Sequence, residues 1–200
     1  DIDGSVLIFD VRSGRTLQHW PAPEDTGHEA IRSLVWSADS GTVIAANAMR
    51  VRCMDVKTGK VTLRRGEVPG GLSRFLAISP NGRILVELTS IYEYGITCVA
   101  SDVQTGRVLW KSDDGEQAFA TYSSERLGVG SLTVAFSPDS TLLAGGLYES
   151  LRIVDAATGK ERAKVPVDIG EVEAVAFSLD GRLVAAGGTS GATLVFDVEE

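Results

Sequence analysis

LTVAFSPDSTLLAGGLYESLRIVDAATGK, from Leu132 to Lys160, parses as three short strands separated by tight turns. An apolar strand ends at Phe136-Ser137, and Pro138-Asp139-Ser140 makes a turn. A second strand runs from Leu142 to Leu147. A third closes on Val154-Asp155 and enters a Thr158-Gly159-Lys160 turn, and a last strand follows that includes Val165. Pro presets the turn dihedral, Asp bonds the backbone two residues on, and Gly accepts the left-handed conformation, so these residues punctuate strands.

Four related copies, whole or partial, surround this unit. The first starts in its third strand, with Val6 to Phe9, an Arg12-Ser13-Gly14-Arg15 turn and a fourth strand through Leu17; a loop from Gln18 to Glu29 carries Trp20, His19 and His28. The second uses Ile31 to Ser37, Val43 to Asn47, Val51 to Asp55 and Val61 to Leu63. The third has Phe75 to Ser79, Ile84 to Leu88, Val99 to Asp102 and Val108 to Trp110. The fifth has Val172 to Ser178, Leu183 to Gly187 and Thr193 to Asp197. The Asp that ends each third strand falls at Asp10, Asp55, Asp102, Asp155 and Asp197, at spacings of 45, 47, 53 and 42 residues.

Four strands per repeat of about 40–45 residues is the signature of β-propeller blades. Apolar runs such as Leu142-Leu143-Ala144 do not alternate strictly, as expected of strands covered on both faces by neighbouring blades. Seventeen strands are legible, grouped two, four, four, four and three, in segments 1–29, 30–66, 67–130, 131–170 and 171–200. Both terminal repeats hold a third strand and cannot merge into one blade. The expected fold is all-β: an arc of about four four-stranded antiparallel blades with incomplete terminal blades, part of a propeller of about seven or eight.

Composition narrows the function. An apolar content of 44% over 200 residues supports a substantial core. A net charge of −8 opposes a nucleic-acid or anionic-membrane surface, which needs clustered Lys and Arg. No stretch approaches the ~20 apolar residues of a membrane span. Cys53 and Cys98 occupy equivalent third strands without any Cys/His cluster, so buried free thiols are expected and a zinc site is not.

Several motifs resemble the WD-repeat family. They are Phe136-Ser137-Pro138-Asp139, Phe177-Ser178-Leu179-Asp180-Gly181, and Gly27-His28 followed by Val35-Trp36-Ser37-Ala38-Asp39, with the endings Phe9-Asp10-Val11, Val154-Asp155-Ala156 and Phe196-Asp197-Val198. The resemblance covers essentially the whole chain and is nearest to divergent bacterial members. In that family a His, a Ser or Thr, an Asp and a Trp form a hydrogen-bonded network in each blade. Here His28 alone holds the His position, Asn47 stands at the Ser position of its blade and Met54 replaces the Trp, so blade cohesion is expected to rest on apolar stacking. A second stretch, Ala100 to Trp110 (ASDVQTGRVLW), is similar to the tryptophan-docking repeat of quinoprotein dehydrogenases, which implies that Trp110 locks adjacent blades by packing.

Catalytic chemistry finds little support. Two histidines offer few acid–base candidates, and no Ser lies in a nucleophile elbow. Gly145-Gly146 and Gly187-Gly188 sit inside strands, where close backbone approach explains them better than phosphate binding. The five repeated Asp residues, each just before a turn, fit local backbone bonding better than a calcium array. No cofactor or metal is expected.

Partners should dock on loops at one end of the blades, because the strands are consumed by the core. Two outsized insertions, Ser90 to Gly95 and Ser112 to Gly130, belong to the third repeat and emerge on the same face. They bring Tyr92, Glu93, Tyr94, Phe119 and Tyr122 to a rim that Trp20 and Tyr148 join from neighbouring loops, bordered by Asp113, Asp114, Glu116, Glu125 and Glu149. An aromatic centre with an acidic border suits a basic protein or peptide segment. The expected function is a non-catalytic protein-interaction scaffold whose other partner is the remaining blades of the same propeller. The alternative is a propeller domain of a quinoprotein-like dehydrogenase or hydrolase with its catalytic groups elsewhere.

Overall fold

The computed structural model describes residues 4–22, 30–31, 33–47, 50–65, 71–91, 95–112, 133–147 and 150–198. Within them lie seventeen strands and no helix. The first sheet is a hairpin of β1 (Val6–Phe9) and β2 (Thr16–Trp20). The second is β3 (Ser33–Trp36), β4 (Thr42–Ala46), β5 (Arg50–Asp55) and β6 (Val61–Arg65). The third is β7 (Gly71–Ile78), β8 (Ile84–Ile91), β9 (Gly95–Asp102) and β10 (Val108–Lys111). The fourth is β11 (Val134–Phe136), β12 (Leu142–Leu147), β13 (Ser150–Asp155) and β14 (Glu161–Pro166). The fifth is β15 (Val172–Phe177), β16 (Leu183–Gly188) and β17 (Thr193–Asp197). Each sheet is an antiparallel meander in chain order. The grouping two, four, four, four, three agrees with the sequence reading.

Alternation of side chains sets the packing. In the second sheet Val43 pairs with Met54, and these two with Ala45 form an apolar cluster with Val6 and Trp20 of the first sheet. Ile44, Ala46 and Val51 point the other way, into a cluster with Leu76 and Leu85 of the third sheet. Four consecutive residues, Val43 to Ala46, are therefore all buried, as a strand covered on both faces requires. The pattern recurs between the third and fourth sheets, through Val86, Leu88, Leu143 and Val154, and between the fourth and fifth, through Ala144, Leu151, Val184 and Ala186. Each sheet-to-sheet boundary has its own core.

Two readings of extent change. The ends of the Ser90–Gly95 insertion are strand: β8 continues to Ile91, β9 begins at Gly95, and Ile91 pairs with Gly95. Gly71, Leu72 and Ser73 pair with Ile91, Ser90 and Thr89, so β7 lengthens with them. The segment from Gln18 to Trp20 is not loop but the end of β2, paired with Ile8, Leu7 and Val6.

Candidate interaction face

Strand register divides every sheet into two ends. At one end, the turn between first and second strands meets the turn between third and fourth. Backbone bonds from Val56 N–H to Gly41 O, Val103 N–H to Arg83 O, Ala156 N–H to Thr141 O and Val198 N–H to Arg182 O join the two turns, at 2.8–2.9 Å. The opposite end carries the turns between second and third strands and the links between sheets.

The first end is occupied by polar side chains bound to their own turns. Asp55 Oδ1 accepts the Thr58 N–H at 2.6 Å and its hydroxyl at 2.7 Å. Asp102 does the same with Thr105, Asp155 with Thr158 and Asp10 with Ser13. In the companion turn, Ser37, Ser137 and Ser178 donate their hydroxyls to Asp39, Asp139 and Asp180, each at 2.6 Å, while Ser79 donates to Asn81 at 2.8 Å. The donated hydroxyls, and then backbone N–H groups, hold these carboxyls below the usual carboxylate range. In Asp155 the Thr158 hydroxyl again lowers the value most, partial burial opposes it, and Arg162 adds a further lowering. Asp197 is 4.0 Å from Arg182. Asp10, Asp55, Asp102 and Asp155 thus close turns. Among the described residues no group of three or more His, Cys, Asp or Glu is placed to hold a metal ion.

The same end holds the clasp between sheets. Trp110 of β10 donates its indole N–H to Ala156 O of the fourth sheet at 2.9 Å, and its ring covers Gly159 so closely that an added Cβ would lie 2.7 Å from Cδ2. Gly159, at φ +71°, accepts both constraints because it has no side chain. Gln18 takes this role between the first and second sheets, donating to Val56 O at 2.9 Å. Gln18 stands four residues after Gly14, as Trp110 stands four after Gly106, and that spacing was the available signal.

Trp20 requires a correction. It was expected on the rim; instead it is 4% exposed in the core between the first two sheets, and its indole N–H bonds Gly59 O at 3.1 Å, at the Asp-turn end. The cause is that β2 runs three residues further than the sequence reading, which ended the strand at Leu17, and this carries Trp20 onto the face opposite the second sheet. His19 is likewise a strand residue, exposed and paired with Leu7. Tyr92, Glu93, Tyr94, Phe119, Tyr122, Tyr148 and His28 lie outside the described residues.

The opposite end is framed by three features. The third sheet projects there: β7, β8 and β9 have eight residues each, against six or fewer in every other strand. The sequence between the paired Ile91 and Gly95 is Tyr-Glu-Tyr. Arg52, buried in β5, reaches across to the first sheet and donates to Gly4 O and Pro21 O, and burial lowers its pKa. Sequence reasoning missed this arginine, although Arg152 repeats it three residues before the equivalent Asp. Close approach explains the strand glycines at Gly146, where a Cβ would strike Val172, and at Gly188, where it would strike Ile169 O; Gly187 has ordinary room. Cys98 is fully buried, and desolvation pushes its thiol pKa up, whereas Cys53 is only half-buried beside the outer strand β6.

No family model matches the chain. Over 70 residues it is 39% identical to the small ribosomal subunit protein RACK1y of Oryza sativa subsp. japonica, a stretch that covers 34% of this chain and 21% of that protein. The similarity supports the WD-repeat resemblance carried by the turn motifs. The sheets are propeller blades. Each of the three complete blades has the four-stranded meander and the paired turns at one end that the repeat implied.

Proposed function

We propose that the protein is a non-catalytic scaffold that presents the link-bearing end of its blades to a protein or peptide partner. The observation that carries this reading is the projection of the third blade at that end, a three-stranded ledge whose hairpin sequence is Tyr92-Glu93-Tyr94. The opposite end is a poor candidate, because its repeated Asp, Ser and Thr side chains are committed to closing turns. Acidic residues beside the aromatic ones favour a basic, Arg-bearing segment, whose guanidinium groups would stack on tyrosine faces. The 70-residue similarity to RACK1y agrees with a scaffold in general. Trp110 gives no support to the dehydrogenase reading, since its contacts with Ala156 and Gly159 are packing contacts.

The test is binding of a fluorescent Arg-rich peptide, followed by anisotropy, to the chain and to Tyr92→Ala/Tyr122→Ala. Affinity is expected to fall at least about tenfold, some 1.4 kcal/mol, with the denaturation midpoint unchanged. Loss of stability with unaltered binding would assign these tyrosines to their own loops and end the proposal.

A further inference from the structure

Arg52 and Arg152 stand at the same place in their blades, three residues before Asp55 and Asp155. Their surroundings differ. Arg52 crosses to the first sheet and donates to Gly4 O and Pro21 O. Arg152 is only 9% exposed, yet among the described residues its guanidinium makes a single contact, from Nη1 to Glu161 Oε2 of its own sheet at 3.4 Å. Its Nε is buried with no hydrogen-bond partner among those residues. A buried donor on a charged group is costly to leave unpaired, so this one calls for an acceptor.

Register places its neighbours. Val154 packs with Val86 and Leu88 of the third sheet, and Arg152, two residues away in β13, shares that face. Directly paired residues also share a face, which adds Lys164 opposite Arg152 and Glu161 opposite Val154. On its other side Arg152 pairs with Gly145, where Arg52 pairs with Ala45, so no side chain stands there beside the guanidinium. The third sheet contributes Val86, Leu88, Cys98 and Ala100 to this boundary, and none of these supplies a carboxylate. Two cations therefore share the face with one acid. Lys164 is exposed, the Glu161 side chain is 43% exposed, and β14 is the outermost strand of its sheet, so the face is reached from the flank of the blade.

We propose that Arg152 and Lys164 form a carboxylate-binding site on the flank between the third and fourth blades. With Nη1 turned to Glu161, the Nε–Nη2 edge presents two parallel N–H groups that match the two oxygens of a carboxylate. Lys164 adds a second positive charge from the exposed side. One carboxylate cancels the charge that Glu161 leaves over; a phosphate dianion would exceed it and be repelled by Glu161. A protein with a net charge of −8 also repels extended polyanions. The ligand is thus a carboxylate, carried by a small acid or by an Asp or Glu of a bound polypeptide.

The test follows the Arg152 Nε–H resonance in proton–nitrogen correlation spectra of the 200-residue chain, assigned by its absence from Arg152→Lys. Sodium acetate and the blocked peptide acetyl-Gly-Glu-Gly-amide are titrated separately at constant ionic strength, with sodium chloride and sodium phosphate as controls. A saturable shift is expected, with affinity about two- to fivefold weaker in Lys164→Ala, as for an exposed ion pair. The rise in thermal midpoint that the ligand gives the chain should vanish in Arg152→Lys, which keeps the charge and loses the fork. Saturation by acetate identifies a small acid as ligand; saturation by the peptide alone identifies a side chain presented by a polypeptide. Four outcomes overturn the proposal. They are no saturation with either probe, an equal response to chloride or a tighter one to phosphate, unchanged affinity in Lys164→Ala, and a resonance that moves in Asp113→Asn/Asp114→Asn before any ligand is added. The last would assign the acceptor to the chain's own acids.

Discussion

Trp110 and Gly159 show how much of the chain depends on single contacts. The indole bonds one carbonyl and lies over a residue that tolerates neither a Cβ nor, at φ +71°, an ordinary backbone conformation. Trp110→Ala is expected to cost about 2–4 kcal/mol in denaturant unfolding, toward the low end for a large aromatic because the ring is half-buried. Gly159→Ala strains both the turn and the ring. With the ring removed, part of that strain disappears, so the double variant should fall short of the sum by about 1 kcal/mol or more. Strict additivity would mean that the ring and the glycine do not press on each other. The role of Trp110 was legible because the stretch from Ala100 to Trp110 resembles a repeat in which the Trp packs against the next blade. Gln18 stands at the same spacing after its turn glycine, but a polar amide there does not by itself suggest packing, and Trp20 was misplaced because nearby prolines mimic a loop. The aromatic rim rests on the sequence alone.

The turns are the elements most fully written into the sequence. Ser-x-Asp and Asp-x-x-Thr each specify a closed hydrogen-bonded loop using residues within five positions, so no distant contact is needed to recognise them. Strand ends are different. The extension Gly71 to Ser73 exists because Thr89 to Ile91 run alongside it, a pairing that local pattern does not reveal. The turn carboxyls have lowered folded-state pKa values, so the stability they contribute is present above the ordinary unfolded value near ~3.9 and is lost as pH falls through the folded values. Thermal midpoints followed by circular dichroism should stay level from pH 7 to about 4 and decline below it. Asp102→Asn should start lower and decline less steeply. A midpoint already falling between pH 7 and 5 would show that other groups govern acid sensitivity.

At the scale of the molecule, stability comes from faces meeting faces, and the first and last described sheets each carry exposed apolar side chains. Val6 and Ile8 of β1 pack toward the second blade, leaving Leu7 and Phe9 on the other side; in the fifth blade, Leu183 and Val195 are exposed opposite the core. Exposed apolar sheet faces drive association. Sedimentation should give an apparent mass that rises with concentration, and Phe9→Glu combined with Val195→Lys should suppress the rise. A chain monomeric at all concentrations would contradict it. The blade count and order were legible because they depend on a period, whereas the depth of each interface depends on which residues oppose one another across it.

Every apolar cluster here is contributed half by one repeat and half by the next. A tandem duplication or excision in the gene that spans one whole period therefore joins a left half to a right half of the same kind and strands neither. A break at any other length mates unlike halves. Ancestry of such a chain is thus free to count in whole units, and the number of blades can drift while the chemistry of each seam stays unchanged.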